Sequence, residues 1–144
     1  MRLERLVLER EVFMQYFEKQ GNALTFRQDG ETVRVEPWQK DSLRVRGTLL
    51  SEIEEGSIAL LDPEPVEAEI ELVDELKATI KNGKIQAVLE VQPWGQKLRI
   101  TFLNQKGEVL LSEIANGGAL CLRAHDYRAL KGGAYQLKVS FDSN

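Results

Sequence analysis

Cysteine occurs once in this chain, at Cys121, so no internal disulfide can staple the fold. Histidine also occurs once, at His125, and that excludes the His/Cys clusters of a zinc site. No apolar run approaches the roughly 20 residues of a membrane-spanning helix. The N-terminus, MRLERLVLER, is charged throughout and has no uninterrupted apolar stretch of the kind a secretory signal needs. Lys and Arg are missing between Arg46 and Lys77, and the net charge is -4, so no basic field invites nucleic acid or an anionic membrane. Gly117-Gly118 and Gly132-Gly133 lack the strand-to-helix setting of a phosphate-binding loop, and no Ser-His-Asp pattern is present. These absences leave no motif for a metal, a cofactor or nucleophilic catalysis. A cytoplasmic setting is the simplest expectation.

What is present is a chain of 144 residues, 42% hydrophobic, long enough for one domain with a real core. Its dominant pattern is short alternation broken by turn residues. Asp29-Gly30 lies between Ala23–Arg27 and Thr32–Glu36, and Asn82-Gly83 between Lys77–Lys81 and Lys84–Val91. Both dipeptides tolerate positive φ and predict tight hairpins, the second of type I′. Val33 and Val35 share one face, opposite Thr32, Arg34 and Glu36. Leu43 and Val45 resume the alternation, with Arg44 and Arg46 expected in water. Val66, Ala68, Ile70 and Leu72 alternate with Glu67, Glu69 and Glu71, which predicts a half-buried strand with one acidic face. Leu98, Ile100 and Phe102 predict another strand, turning at Asn104–Gly107. Val109–Ile114, Ala119–Ala124 and Tyr135–Phe141 complete the series, with Lys131-Gly132-Gly133 as a turn. Residues 1–20 fit a helical face and an alternating strand about equally, with a strand favoured in the second half. No long helix is convincing, so the fold class is all-β, an antiparallel β-sandwich.

Few residues stand out for chemistry. His125 has Asp126 as a neighbour, and a structural or exposed role is expected of it. Cys121 lies in an apolar run, which suits a buried inert thiol. The acids from Glu52 to Glu75 read as a solvated strand with its loops, or else as a docking face for a basic partner. Carboxylates along one strand do not supply the paired geometry of a glycosidase. Trp38 and Trp94 sit in a repeated phrase, VEPWQKDSLRVR and VQPWGQKLRI. Pro37 and Pro93 cannot donate to a ladder, so each phrase predicts a break between consecutive strands. The two indoles are the candidate carbohydrate contacts. Packing over the core beside the break is the competing role.

The succession GETVRVEPWQKDSLRVRGT, IALLDPEPVEAEIELVDE, ATIKNGKIQAVLEVQPWGQKLRITFLNQKGEVLLSE and LKGGAYQLKVSFDSN resembles the N-terminal domain of family 31 glycoside hydrolases, the α-glucosidases and α-xylosidases. The resemblance implies a galactose mutarotase-like β-sandwich over residues 21–144, preceded by an N-terminal segment, 1–20. In that family a (β/α)8 barrel follows and carries the aspartate nucleophile and the acid/base of a retaining mechanism. This chain is too short to hold such a barrel. It also stops before the family's Tyr-Gly-x-Gly segment and its substrate-contacting aspartate, which implies a sandwich truncated at the C-terminus. The resemblance therefore implies a non-catalytic role, no catalytic residue in this chain, and the parent enzyme's barrel as partner. An independent carbohydrate-binding module and an assembly domain are the alternatives. A strand edge left unpaired would favour a homo-oligomer.

Overall fold

The computed structural model describes residues 16–28, 30–53, 66–92, 97–115 and 124–142. Eleven strands are present among them, in three antiparallel sheets with no α-helix. The first sheet has the order β1-β2-β3-β4, from β1 (Phe17–Gln20), β2 (Ala23–Gln28), β3 (Glu31–Pro37) and β4 (Leu43–Thr48). The second has the order β5-β6-β7-β8-β9, from β5 (Glu69–Asp74), β6 (Lys77–Asn82), β7 (Ile85–Val91), β8 (Leu98–Asn104) and β9 (Val109–Ser112). Each is a simple meander. A separate hairpin joins β10 (His125–Ala129) to β11 (Tyr135–Val139) through a 3-10 turn at Lys131–Gly133. The all-β sandwich expected from the alternation is the fold observed.

The two larger sheets close face to face on one core. The first contributes Phe17, Leu24, Phe26, Val33 and Val35; the second contributes Ala78, Ile80, Ala87, Leu89, Val91, Leu98 and Ile100. The first sheet brings the bulky Phe17 and Phe26 and the second the small Ala78 and Ala87, a mix of sizes that suits interdigitated layers. Phe26 anchors the ring cluster, with centroids 5.7 Å from Phe17 and 6.2 Å from Tyr16. Most of these positions follow the period-2 rule that sequence alternation demands.

Two asparagines tie the sheets together at their edges. Asn22, in the β1–β2 turn, accepts from the Ala68 amide at 2.7 Å and donates to the Val66 carbonyl, which holds the chain entering β5. Asn82 ends β6 and donates to the carbonyls of Gln39 and Ser42, both at 2.7 Å, in the β3–β4 loop. Asp41 of that loop accepts from the Lys84 amide at 2.9 Å. Gly83 has φ +61, and a side chain there would collide with the Asp41 carboxylate.

Several expectations need correction. The register pairs Asn82 with Ile85, so the β6–β7 turn is centred on Gly83-Lys84 rather than Asn82-Gly83. Only Gly83 takes positive φ, the requirement of a II′ turn, not I′. Asn82 is drawn into the ladder by its two loop carbonyls. Leu72 is 47% exposed instead of core-facing, because β5 is an edge strand with an irregular register after it. Val45 is 40% exposed, whereas Arg44 and Arg46 are largely covered. β10 has no counterpart in the sequence reading. Trp94, Pro93, Cys121, Asp29, the acids Glu54, Glu55, Asp62 and Glu64, and the Ala119–Arg123 run lie outside the described residues.

Candidate functional site

Trp38 follows directly on β3. Its amide donates to the Ser42 carbonyl at 3.0 Å, and the Ser42 hydroxyl donates back to the Trp38 carbonyl. Gln39 and Asp41 take positive φ, near +60, so the loop 38–42 is a tight, internally bonded turn. The indole is half-buried, and the Arg44 guanidinium lies 4.2 Å from its ring centroid. That is cation–π geometry. Arg44 and Arg46 both reach Glu36 Oε1 at 2.7 Å, with about a fifth of each arginine side chain exposed. The strand pairing explains this cluster, since Glu36 sits opposite Arg44 and Arg46 opposite Arg34 on the outer face of the first sheet. One face of Trp38 is therefore already occupied. Trp94, its sequence twin, is outside the described residues.

A second cluster lies deeper. His125 Nδ1 is 2.9 Å from Glu31 Oε2, and His125 Nε2 is 2.7 Å from Glu113 Oε2. The side chains are 9%, 17% and 4% exposed respectively. Glu31 opens β3, Glu113 follows β9, and His125 opens β10. The cluster thus touches all three sheets. Glu113 Oε1 accepts from the Ile100 amide at 2.8 Å, and Arg99 donates to the Glu113 carbonyl and pairs with Asp142, each at 2.8 Å. Burial by itself would push the His125 pKa down. The hydrogen bonds and charges of Glu113 and Glu31 outweigh it and raise the pKa from 6.5 to about 10. Burial likewise acts to raise Glu31, but the His125 hydrogen bond and charge hold its carboxyl below the ordinary value.

Tyr127 stands next to this cluster, on the same face of β10 as His125. Its buried hydroxyl approaches Glu31 closely enough to influence both ionisations but falls short of a formed hydrogen bond. Burial and the Glu31 charge raise its pKa well above that of a free phenol. The hydroxyl sits against Gly47, where an added Cβ would lie 2.5 Å from it. The two carboxylates approach opposite nitrogens of the ring, so they do not converge on one point. Among the described residues no group of three ligating side chains could hold a metal ion.

Of the residues singled out in the sequence, His125 has the structural role expected, with different partners. Asp126 pairs with Arg128 instead, at 3.4 Å. Glu31 and Glu113 were not anticipated. A signal existed for both. Glu31 shares the parity of Val33 and Val35, and Glu113 continues an apolar strand into the sheet. A carboxylate on a core face requires a buried partner. The partner, 94 residues from Glu31, could not be read from spacing.

Known proteins place this fold. No protein-family model matches the chain. An uncharacterised family 31 glucosidase of Pseudescherichia vulneris is 37% identical in an alignment of 140 residues, and the match covers 85% of this chain and 25% of that protein. The crystal structure of a family 31 α-xylosidase from a soil metagenome, complexed with xylose, superposes with a TM-score of 0.75 at 28% identity. That match covers 89% of this chain and 20% of the enzyme. The chain thus spans about a quarter of the length of the relative it matches. Sequence identity, strand architecture and superposition agree that this chain is similar to a β-sandwich region of family 31 glycoside hydrolases.

Proposed function

We propose that this chain is the non-catalytic N-terminal sandwich of a retaining α-glycosidase of the α-glucosidase or α-xylosidase type. In this reading it packs on a catalytic barrel and helps shape that barrel's sugar pocket. The observation that carries the proposal is coverage. Nearly the whole chain matches only a quarter of a family 31 glucosidase, which leaves the reacting carboxylates to the remainder. The described residues support the reading, because their buried carboxylates are engaged with His125 and backbone rather than set across an open cleft. The sandwich also leaves large apolar side chains uncovered on its last strands: Val109, Leu110 and Leu111 on β9, Tyr135 and Leu137 on β11, and Phe141 beyond it. A surface of that kind suits burial against a further domain.

The purified chain should show no turnover of aryl α-glucosides or aryl α-xylosides. Turnover that co-purifies with the chain and survives a second chromatographic step would overturn the reading. Carbohydrate contact at Trp38 or Trp94 belongs to the same proposal. At Trp38 a sugar would have to use the indole face that Arg44 does not cover, or displace Arg44.

A further inference from the structure

We infer that His125 is held as an imidazolium and acts as the clasp that closes the β10–β11 hairpin onto both larger sheets, so that loss of its second ring proton releases the hairpin as a unit. A neutral imidazole offers one N–H and one lone pair. Here both ring nitrogens face carboxylate oxygens at hydrogen-bonding distance, 2.9 Å to Glu31 and 2.7 Å to Glu113. A lone pair turned toward a carboxylate would repel it, in surroundings where water cannot screen the repulsion. Two N–H donors satisfy both contacts, and the one positive charge stands between two negative ones.

The hairpin has little else to hold it. Every residue from Arg128 to Lys138 is exposed, and no residue of β10 or β11 joins the apolar core. Other contacts are Tyr127 and Leu137 against Gly47, the Ser140 carbonyl accepting from the Ile114 amide, and the Asp142 amide donating to the Ser112 carbonyl at the end of β9. The charged groups around the ring come from each element packed on it: Glu31 from β3, Glu113 after β9, and Tyr127 from its own strand. Lys97 acts on Glu31, and the Arg99–Asp142 pair flanks Glu113 through its carbonyl. Hairpin closure is therefore coupled to one proton.

His125 is the only histidine in the chain, so tag-free, 15N-labelled protein gives one imidazole spin system. At pH 8 both ring nitrogens should resonate as protonated N–H. The second proton should leave near pH 10, and the methyl signals of Leu137 and Val139 should shift with it while those of Ile80 and Leu89 hold. A bare ring nitrogen at pH 8 would overturn the inference, since the ring would then lack the second N–H that the clasp requires. Deprotonation that leaves the hairpin methyls unmoved would overturn it equally. A His125→Gln variant should exchange its β10–β11 amides at least roughly 10-fold faster, with β6–β8 unchanged. Uniform acceleration across both sheets would contradict a separately opening unit. Should that variant fail to fold, the titration of the unaltered chain decides alone.

Discussion

Gly47 shows how one atom sets a contact. It lies opposite Val33 in the β3–β4 ladder, and the Tyr127 hydroxyl occupies the space a side chain would need. Gly47→Ala should destabilise the chain by about 1–3 kcal/mol through overpacking. Tyr127→Phe should recover part of that loss, and a double-mutant cycle by urea melts measures the coupling. Trp38 poses a second question at this scale. If the proposed sugar contact exists, calorimetry with glucose or xylose oligosaccharides will detect an affinity that Trp38→Ala abolishes. An affinity unchanged in that variant removes Trp38 from the proposal.

The clasp also fixes the pH profile of stability. The folded His125 pKa is raised, so its contribution is complete below about 6.5 and is lost as pH climbs through about 10. The folded Glu31 pKa is lowered, so its contribution is present above about 4.5 and is lost as pH falls through the depressed value. Urea midpoints measured across pH should therefore be highest between about 4.5 and 6.5 as far as these two groups decide, with a decline on either side. In Glu113→Gln the alkaline decline should move to lower pH, because the ring loses one of its two anionic partners. A profile unchanged by that substitution would refute the assignment.

At the scale of strands and turns, the β6–β7 hairpin is held from outside. Asn82→Ala would remove the donor to the Gln39 carbonyl and leave the Ser42 carbonyl with the Trp38 amide alone, and should cost about 1–3 kcal/mol. Gly83→Ala should destabilise as well, through its positive φ and the Asp41 carboxylate. These contacts mark where sequence reading stopped. The alternation in Val33–Val35 and Leu98–Phe102, and the break at Pro37, fix face and strand end locally, and the structure shows both. The Asn-Gly signal located the second hairpin but missed its register, because the side chain of Asn82 serves a loop 40 residues earlier. Leu72 misled because alternation reports on a strand's two faces and not on whether the strand lies at an edge. β10 was illegible for a related reason. His125, Asp126 and Arg128 break its apolar pattern, and their partners belong to the fold rather than to the strand.

The whole molecule is a two-sheet sandwich with a clasped hairpin and an uncovered apolar surface on its last strands. If that surface is a docking face, the isolated chain should self-associate through it, and Leu110→Lys should reduce the association seen by light scattering. A chain monomeric at every concentration, before and after the substitution, would count against the exposed strands as an interface. The proposed role makes this sandwich the companion of a catalytic barrel outside the 144 residues. Sequencing the coding DNA beyond the Asn144 codon tests that role most directly. The expected result is an open frame that continues the sandwich and then encodes a (β/α)8 barrel. A stop codon there, with no barrel encoded alongside, would contradict it.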